Sequence, residues 1–174
     1  NTITWTKTKI PGDMVDTWTN ITMASLLDLD GDKGPVRAIR RFNNNLIAFQ
    51  DKGVSQILYN EQMQMSTVEG VPIEIANSGK VAGKRYITDK KGCRNKWSIC
   101  ETPMGIYFVD DINKDISYFN GQNIADISLS KGFNSYIKSK ELSAIWDLKD
   151  FNSIVTYYDK VFKDVYFIDK EDTL

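Results

Sequence analysis

Apolar and polar residues alternate along most of this chain with the period of two that is typical of β-strands. Two segments, NNNLIAFQDKGVSQILYN at residues 43–60 and MGIYFVDDINKDISYFNG at residues 104–121, each place an apolar run before a polar turn containing aspartate and then continue with a second alternating run. A third segment, FNSIVTYYDKVFKDVYFID at residues 151–169, has the same arrangement. Each of the three segments predicts a β-hairpin.

The predicted hairpins recur at a spacing of about sixty residues, measured from Ile47 to Tyr107 to Tyr166. Repeats of forty residues or more with several strands per copy are typical of β-propeller blades. Because a small sheet cannot bury both of its faces alone, neighbouring copies are expected to stack. We therefore predict an all-β fold of about three four-stranded, propeller-like blades, forming an incomplete propeller, with one short helix. The alternative is a β-sandwich of short strands.

The remaining segments predict shorter elements. Alternation in residues 2–9 predicts a strand that ends at Pro11, residues 36–41 predict another strand, and the polar residues 60–92 predict short edge strands and loops. KWSICET and NIADIS predict strands as well, and Gly53 is expected to take a positive φ in its hairpin. SKGFNSYIKSKELSAIW, residues 130–146, predicts the helix, with Phe133, Tyr136 and Ile137 at helical spacing and Ser130 as its cap.

The domain prediction follows from the repeat. Residues 1–174 are expected to form a single β-rich domain or a fragment of a larger propeller, with units at about 17–75, 76–135 and 136–174. The chain starts with Asn1 instead of Met and stops soon after a predicted strand. We therefore expect it to be a piece of a longer polypeptide.

Composition removes several classes of function. The net charge of −1, from 22 basic and 23 acidic residues, argues against wholesale attraction to nucleic acid or to an anionic membrane. The absence of histidine removes the commonest general base and the usual zinc ligand sets, and no apolar run is long enough to span a bilayer. Cys93 and Cys100 are expected to be two small buried side chains, with a disulfide between them as the alternative. No cofactor is predicted.

A candidate metal site lies in DLDGDKG, where Asp28, Asp30 and Asp32 occupy alternate positions, as the oxygen ligands of calcium loops do. The complete EF-hand pattern fails, because Lys33 stands where its glycine belongs and Ile39 stands where its bidentate glutamate belongs. An acidic surface turn is the simpler interpretation.

A candidate nucleic-acid contact lies between Lys80 and Lys96, where seven basic residues and the single acid Asp89 give a local charge of +6, seven minus one. Such a loop contacts phosphates if it lies beside DNA, and the binding then falls steeply with salt. A solvated loop, or pairing with an acidic neighbouring subunit, is the alternative. The residues predicted to contact DNA are Lys84, Arg85, Lys90, Lys91 and Arg94.

Aromatic residues and acids suggest an alternative function. Trp5, Trp18, Trp97 and Trp146 are suited to stacking on sugars, although aromatic residues in alternating strands usually pack between sheets. A carbohydrate-binding or carbohydrate-cleaving propeller module would use acids at its blade tips, and the candidates are Asp110, Asp111 and Asp159.

A family resemblance rests on three segments in order: residues 34–60, the run GCRNKWSICETPMGIYFVDDINKDISYFNGQNIADIS at residues 92–128, and the hairpin at residues 151–169. In this order and spacing they resemble the propeller-like ring proteins at the end of short phage tails. These are called nozzle or tail stabilisation proteins, and muzzle proteins in crAss-like phages. The resemblance covers about residues 17–170.

The resemblance implies a non-enzymatic virion protein, assembled in the host cell cytoplasm with copies of itself and other tail proteins into a ring around the DNA exit channel. Its loop tips would contact neighbouring subunits or a host surface, and its further partners would be viral DNA or a host-surface glycan. The residues expected to form buried blade faces are Leu46, Ala48, Ile106, Phe108, Val165 and Phe167.

Overall fold

The computed structural model describes residues 1–6, 12, 14, 17–59, 64–66, 72–74, 81–132, 134–139 and 154–169. Within these ranges the strands are β1 Thr2–Thr4, β2 Leu26–Asp28, β3 Val36–Phe42, β4 Asn45–Gln50, β5 Val54–Tyr59, β6 Gln64–Ser66, β7 Pro72–Glu74, β8 Val81–Thr88, β9 Cys100–Thr102, β10 Gly105–Asp110, β11 Asp115–Phe119, β12 Ile124–Asp126, β13 Val155–Tyr158 and β14 Val165–Ile168. The α-helices are α1 Ile127–Ser130 and α2 Asn134–Ser139. Short 3-10 helices lie at Thr17–Thr19, Gly31–Lys33 and Lys96–Ser98.

The strands form antiparallel sheets, of which two have four strands. Sheet 1 has the order β3-β4-β5-β8, and sheet 2 has the order β12-β11-β10-β9. Both sheets are meanders in which each strand pairs with the next one in the chain, apart from the short β6–β7 pair inserted before β8. The β1–β2 and β13–β14 pairs form separate two-stranded sheets.

The turns of two hairpins share one conformation. In the β10–β11 turn, Asp110 Oδ1 accepts hydrogen bonds from the backbone N–H groups two and three residues later, and Lys114 has φ 52°. In the β13–β14 turn, Asp159 Oδ1 accepts the corresponding pair of bonds, and Lys163 has φ 61°. The aspartate substitutes for a backbone acceptor at the start of each turn. The likeness of these two segments in sequence therefore reflects a shared turn geometry.

Sheets 1 and 2 pack face to face through aromatic residues. Phe49 of sheet 1 meets Phe108 of sheet 2 edge to face, with ring centroids 5.2 Å apart, and Phe42 meets Phe119 at 6.1 Å. Since successive side chains of a strand point to opposite faces, Ile47 and Phe49 lie at this interface and Ala48 lies on the other face of β4.

The outer faces of both sheets are also covered. On the far side of sheet 1, Ala48 and Ile57 pack with Leu29 and with Leu27 of the β1–β2 hairpin. On the far side of sheet 2, a second cluster forms from Val109, Ile116, Ile137 of α2, Ile154 and Phe167 of β14. The layers therefore follow the chain: the β1–β2 hairpin, sheet 1, sheet 2, and then α2 with the β13–β14 hairpin.

The all-β prediction and the three hairpins are confirmed. No sheet closes on itself within the described ranges. Of the predicted blade-face residues, Ala48, Ile106 and Phe108 are buried, Phe167 packs against a buried cluster, and Leu46 and Val165 are half-buried.

Several local predictions were wrong. Gly53 has no positive φ, and Gln50 N–H donates a hydrogen bond to Gly53 O across the β4–β5 loop. Residues 81–88 form an edge strand, but with eight residues it is longer than the short strands predicted there. KWSICET begins as a 3-10 helix, and only Cys100–Thr102 forms the predicted strand. Ser130 lies inside α1 instead of capping α2. Phe133, Pro11, Lys80 and Trp146 lie outside the described residues.

Candidate functional site

Residues 90–95, which we call the clasp, join the two four-stranded sheets by backbone hydrogen bonds. Cys93 N–H donates to the carbonyl of Gln50 in sheet 1 at 2.9 Å. Gly92 N–H donates to Asp110 Oδ2 in sheet 2 at 3.1 Å. Asn95 Nδ2 donates to the carbonyl of Ile154, beside the last hairpin, at 3.0 Å. The clasp therefore contacts three successive layers of the structure.

The clasp approaches sheet 1 so closely that only glycine fits at residue 92. A Cβ atom at Gly92 would lie 2.4 Å from the carbonyl oxygens of both Gln50 and Asp51. Real Cβ atoms do not approach backbone oxygens to this distance, and backbone cannot give way as a flexible side chain can. The absence of a side chain at Gly92 thus permits the contact between the sheets.

Ion pairs fix the clasp to sheet 2. Lys91 Nζ lies 2.6 Å from Asp115 Oδ2 and also donates to Ser117 Oγ at 3.1 Å. Arg94 bonds Asp111 with both Nε, at 2.7 Å, and Nη2, at 2.5 Å. The Asp111 side chain is 5% exposed, so Arg94 supplies the charge that compensates a buried carboxylate.

A corresponding arrangement holds the β4–β5 turn of sheet 1. Gln50 Nε2 donates to the carbonyls of Asp30, at 3.0 Å, and Gly34, at 2.6 Å. Arg37 bonds Asp51 through Nε at 2.5 Å and Nη2 at 2.9 Å. The two sheets share this arrangement. In each sheet a fully buried polar residue, Gln50 or Asp110, ends a strand, and an aspartate follows it. An upstream segment that contains a glycine and an arginine binds both the polar residue and the aspartate.

Asp110 is the buried polar residue of sheet 2. Burial raises the pKa of its carboxyl group, and the hydrogen bonds from Asn113 and from Gly92 N–H oppose that rise. The carboxylate is completely buried and accepts bonds from the backbone of Ile112, Asn113 and Gly92 and from Asn113 Nδ2. Its acceptor capacity is used by the protein itself, so its role is structural.

Three of the five residues that we predicted to contact DNA pair with groups of the protein itself. Lys91 and Arg94 bind the carboxylates of the clasp, and Lys84 Nζ pairs with Asp30 and donates to the carbonyl of Asp28 at 2.8 Å. Arg85 Nη2 donates to Gln56 Oε1 at 2.9 Å and is exposed. Lys90 is also exposed. The protein therefore neutralises three of the seven basic residues in this stretch.

The three candidate calcium ligands have separate partners. Asp28 Oδ1 accepts from Thr2 Oγ1 at 2.5 Å, Asp30 pairs with Lys84, and Asp32 pairs with Lys33 at 3.1 Å. Among the residues that the structure describes, no three His, Cys, Asp or Glu side chains converge as a metal-binding group. Calcium binding stays a prediction from sequence; a calcium-dependent rise in Tm that disappears in Asp30→Ala would support it.

Both cysteines are buried and free, so the disulfide alternative was wrong. Cys93 Sγ lies 3.1 Å from Asn95 O and 3.2 Å from Ser98 Oγ. Burial raises the pKa of Cys93 to about 12, and burial also raises the pKa of Cys100. Neither thiol is suited to act as a nucleophile at neutral pH.

The features proposed for a carbohydrate module are dispersed. Asp110 and Asp111 are buried, and Asp159 caps its own turn. A cleft of about 670 Å³ lies between the β3–β4 turn, β9 and the β13–β14 hairpin, and Glu101 is the one acid among its described lining residues. Glycoside hydrolysis requires two carboxyl groups across one site, and this cleft does not present them.

The fold defines an all-β protein of small antiparallel sheets that stack in chain order and are held by buried polar contacts. The chain matches the model of the crassvirus muzzle protein family over residues 1–174 and belongs to that family. It is 45% identical over 174 residues to the muzzle protein of Bacteroides phage crAss001. That alignment covers all of this chain and 13% of the relative. The resemblance to muzzle proteins found in the sequence is thus confirmed.

Proposed function

We propose that this chain is a non-enzymatic structural segment of a crassvirus virion, in which stacked sheets form a rigid part of the tail end. The observation that carries the proposal is the layered core, in which both faces of sheet 1 and of sheet 2 are covered by neighbouring layers. Such stacking stabilises a surface of fixed shape without any catalytic group. Family membership gives this role its viral setting.

Sheets 1 and 2 are, on this proposal, successive propeller-like blades, and the β13–β14 hairpin belongs to a third. The four-stranded meander topology supports the assignment, because propeller blades are sheets of four strands. Of the units predicted at about 17–75, 76–135 and 136–174, the first stops before β8, the fourth strand of sheet 1, so on this proposal the first blade extends to Thr88 and the second consists of β9 to β12. Copies of the protein would join other tail proteins in a ring around the DNA exit channel, after assembly in the host cytoplasm.

The described part of the chain contains no helix with the length and apolar character needed to cross a membrane.

Contact with viral DNA through the predicted stretch would be made by Arg85 and Lys90. Their side chains are exposed, while Lys84, Lys91 and Arg94 are paired internally. A binding measurement at two salt concentrations tests this, since phosphate contacts weaken as salt rises.

The test of the structural role is the composition of purified virions. We expect peptides of this chain in the mass spectrum of intact particles, and an antibody against the chain should label the tail end in electron micrographs. Detection only in infected cells and never in particles would contradict the proposal. Turnover of a glycan that is lost in one carboxylate variant would favour the carbohydrate-cleaving alternative.

A further inference from the structure

The outer face of the β13–β14 hairpin is an exposed apolar patch. Val155 pairs with Ile168 and Tyr157 pairs with Tyr166 across the two strands, so these four side chains lie on one face. They are 37%, 48%, 59% and 46% exposed, respectively. The opposite face carries Phe167, which packs against the cluster on sheet 2. One face of this hairpin is therefore covered, and the other meets solvent.

The stack consequently has two different ends. At the β1–β2 hairpin, the exposed face presents Thr2, Thr4 and Asp28 beside Leu26. At the β13–β14 hairpin, the described strand residues of the exposed face are all aliphatic or aromatic, and these are the types that fill the interface between sheets 1 and 2. Contiguous apolar patches on a protein surface usually mark an interaction site.

We propose that this patch, formed by Val155, Tyr157, Tyr166 and Ile168, receives one face of a further β-sheet from a muzzle polypeptide that contains this chain. This inference rests on the proposed structural function, and it specifies the surface through which the stack contacts its next layer. It continues a packing arrangement that the structure already contains, because each apolar face of sheets 1 and 2 is covered by a neighbouring layer. The crAss001 relative is far longer than this chain, which covers 13% of it, so family members have polypeptide available for further layers.

A sheet in the same polypeptide fits the patch better than a second copy of the chain does. Four half-exposed side chains offer on the order of 400 Å² per copy, about half of the roughly 800 Å² per partner that specific complexes usually bury. A small interface suffices when both surfaces belong to one chain, since tethering gives a high effective concentration. The covering face should present β-branched and aromatic side chains at alternate positions.

Hydroxyl-radical footprinting tests the proposal in two samples: the isolated 174-residue chain and a longer muzzle polypeptide that contains it, each shown to be monomeric by light scattering. We expect oxidation of Tyr157 and Tyr166 to slow several-fold in the longer polypeptide. Met104, which is 76% exposed in the β9–β10 turn, serves as the reactivity reference. As a second readout, Tyr157→Ser combined with Tyr166→Ser should lower the Tm of the longer polypeptide by more than it lowers the Tm of the isolated chain, which loses only the cross-strand pair.

Equal oxidation of the two tyrosines in both samples would overturn the proposal. Protection that appears in the isolated chain as its concentration rises would also overturn it, in favour of a second copy. Either result leaves the proposed virion role standing, because that role is tested by particle composition and not by the accessibility of Tyr157 and Tyr166.

Discussion

Gly92 shows how one residue determines the fit between two sheets. A Cβ atom at this position would overlap the carbonyl oxygens of Gln50 and Asp51. We expect Gly92→Ala to lower the free energy of unfolding by about 3 kcal/mol or more, because the clasp has to move away from sheet 1. Chemical denaturation measures this loss.

Gly83 is the matched control for that substitution. It lies in β8, has no positive φ, and has nothing within 4 Å of the place that its Cβ would occupy. Gly83→Ala should therefore stay within about 1 kcal/mol of the wild type. Equal losses in the Gly92 and Gly83 variants would refute the close-contact explanation.

Arg94 compensates the charge of the buried Asp111 carboxylate, so removing the Arg94 side chain should destabilise the fold by leaving Asp111 without its partner. We expect Arg94→Ala to lower the free energy of unfolding by about 2 kcal/mol, because the Asp111 charge remains buried without its partner. Adding Asp111→Asn to that variant should recover part of the loss, since the unpaired charge is removed. Asp32→Asn breaks a pair in which the aspartate is 69% exposed, and it should leave the free energy of unfolding nearly unchanged.

The Cys93 thiol should be unreactive in the native protein. Burial raises its pKa from 9.0 to about 12, so at pH 8 the reactive thiolate is scarce and the group is shielded from reagents. The protonated thiol favours the folded state, and this contribution to stability, present below pH 9.0, is lost as the pH rises toward about 12. Iodoacetamide labelling at pH 8 should require denaturant, and rapid labelling of the native protein would contradict the structure.

At the residue scale, the sequence predicted the burial of a side chain from its chemical character better than it predicted which residue that side chain contacts. The buried cysteines followed from their chemical character. The Arg37–Asp51 and Arg94–Asp111 pairs did not, because each depends on a contact between a strand turn and an upstream segment. The sequence did contain a signal for these pairs. A polar residue followed by aspartate occurs twice, as QD at residues 50–51 and as DD at residues 110–111, and each time glycine and arginine lie upstream.

At the element scale, the hairpins were predictable because their turns are local. Asp110 and Asp159 each accept hydrogen bonds from the N–H groups two and three residues later in the chain. A short stretch of sequence is enough to determine such contacts. The length of β8 was underestimated, because its pairing partner, β5, lies more than twenty residues upstream. Alternation alone does not reveal a partner at that distance.

Phe49 tests whether sheets 1 and 2 behave as one folding unit. It is fully buried and contacts Phe108 across the interface, so Phe49→Ala should lower the free energy of unfolding by about 3–5 kcal/mol. Because the core is shared, circular dichroism and tryptophan fluorescence should report one coincident transition. Phe162→Ala, at a phenylalanine that is 73% exposed, should change stability by about 0.5 kcal/mol or less. Two separate transitions would show that the sheets fold independently.

At the scale of the whole molecule, the stack explains why a chain repeats a hairpin. Each small sheet covers one face of its neighbour, and a segment upstream of each strand turn, the clasp in sheet 2 and the segment that contains Gly34 in sheet 1, holds that turn by hydrogen bonds. The period of about sixty residues indicated successive units, but it could not indicate which face of each strand meets which neighbour. That information came from the burial of Ala48 on one side and Phe49 on the other.

A reconstruction of the tail end of the crassvirus virion by electron cryomicroscopy tests the central claim most directly. The account predicts density in which sheets 1 and 2 fit as adjacent layers and a further sheet covers Tyr157 and Tyr166. Density that places the two sheets apart, or particles that lack the chain altogether, would contradict it.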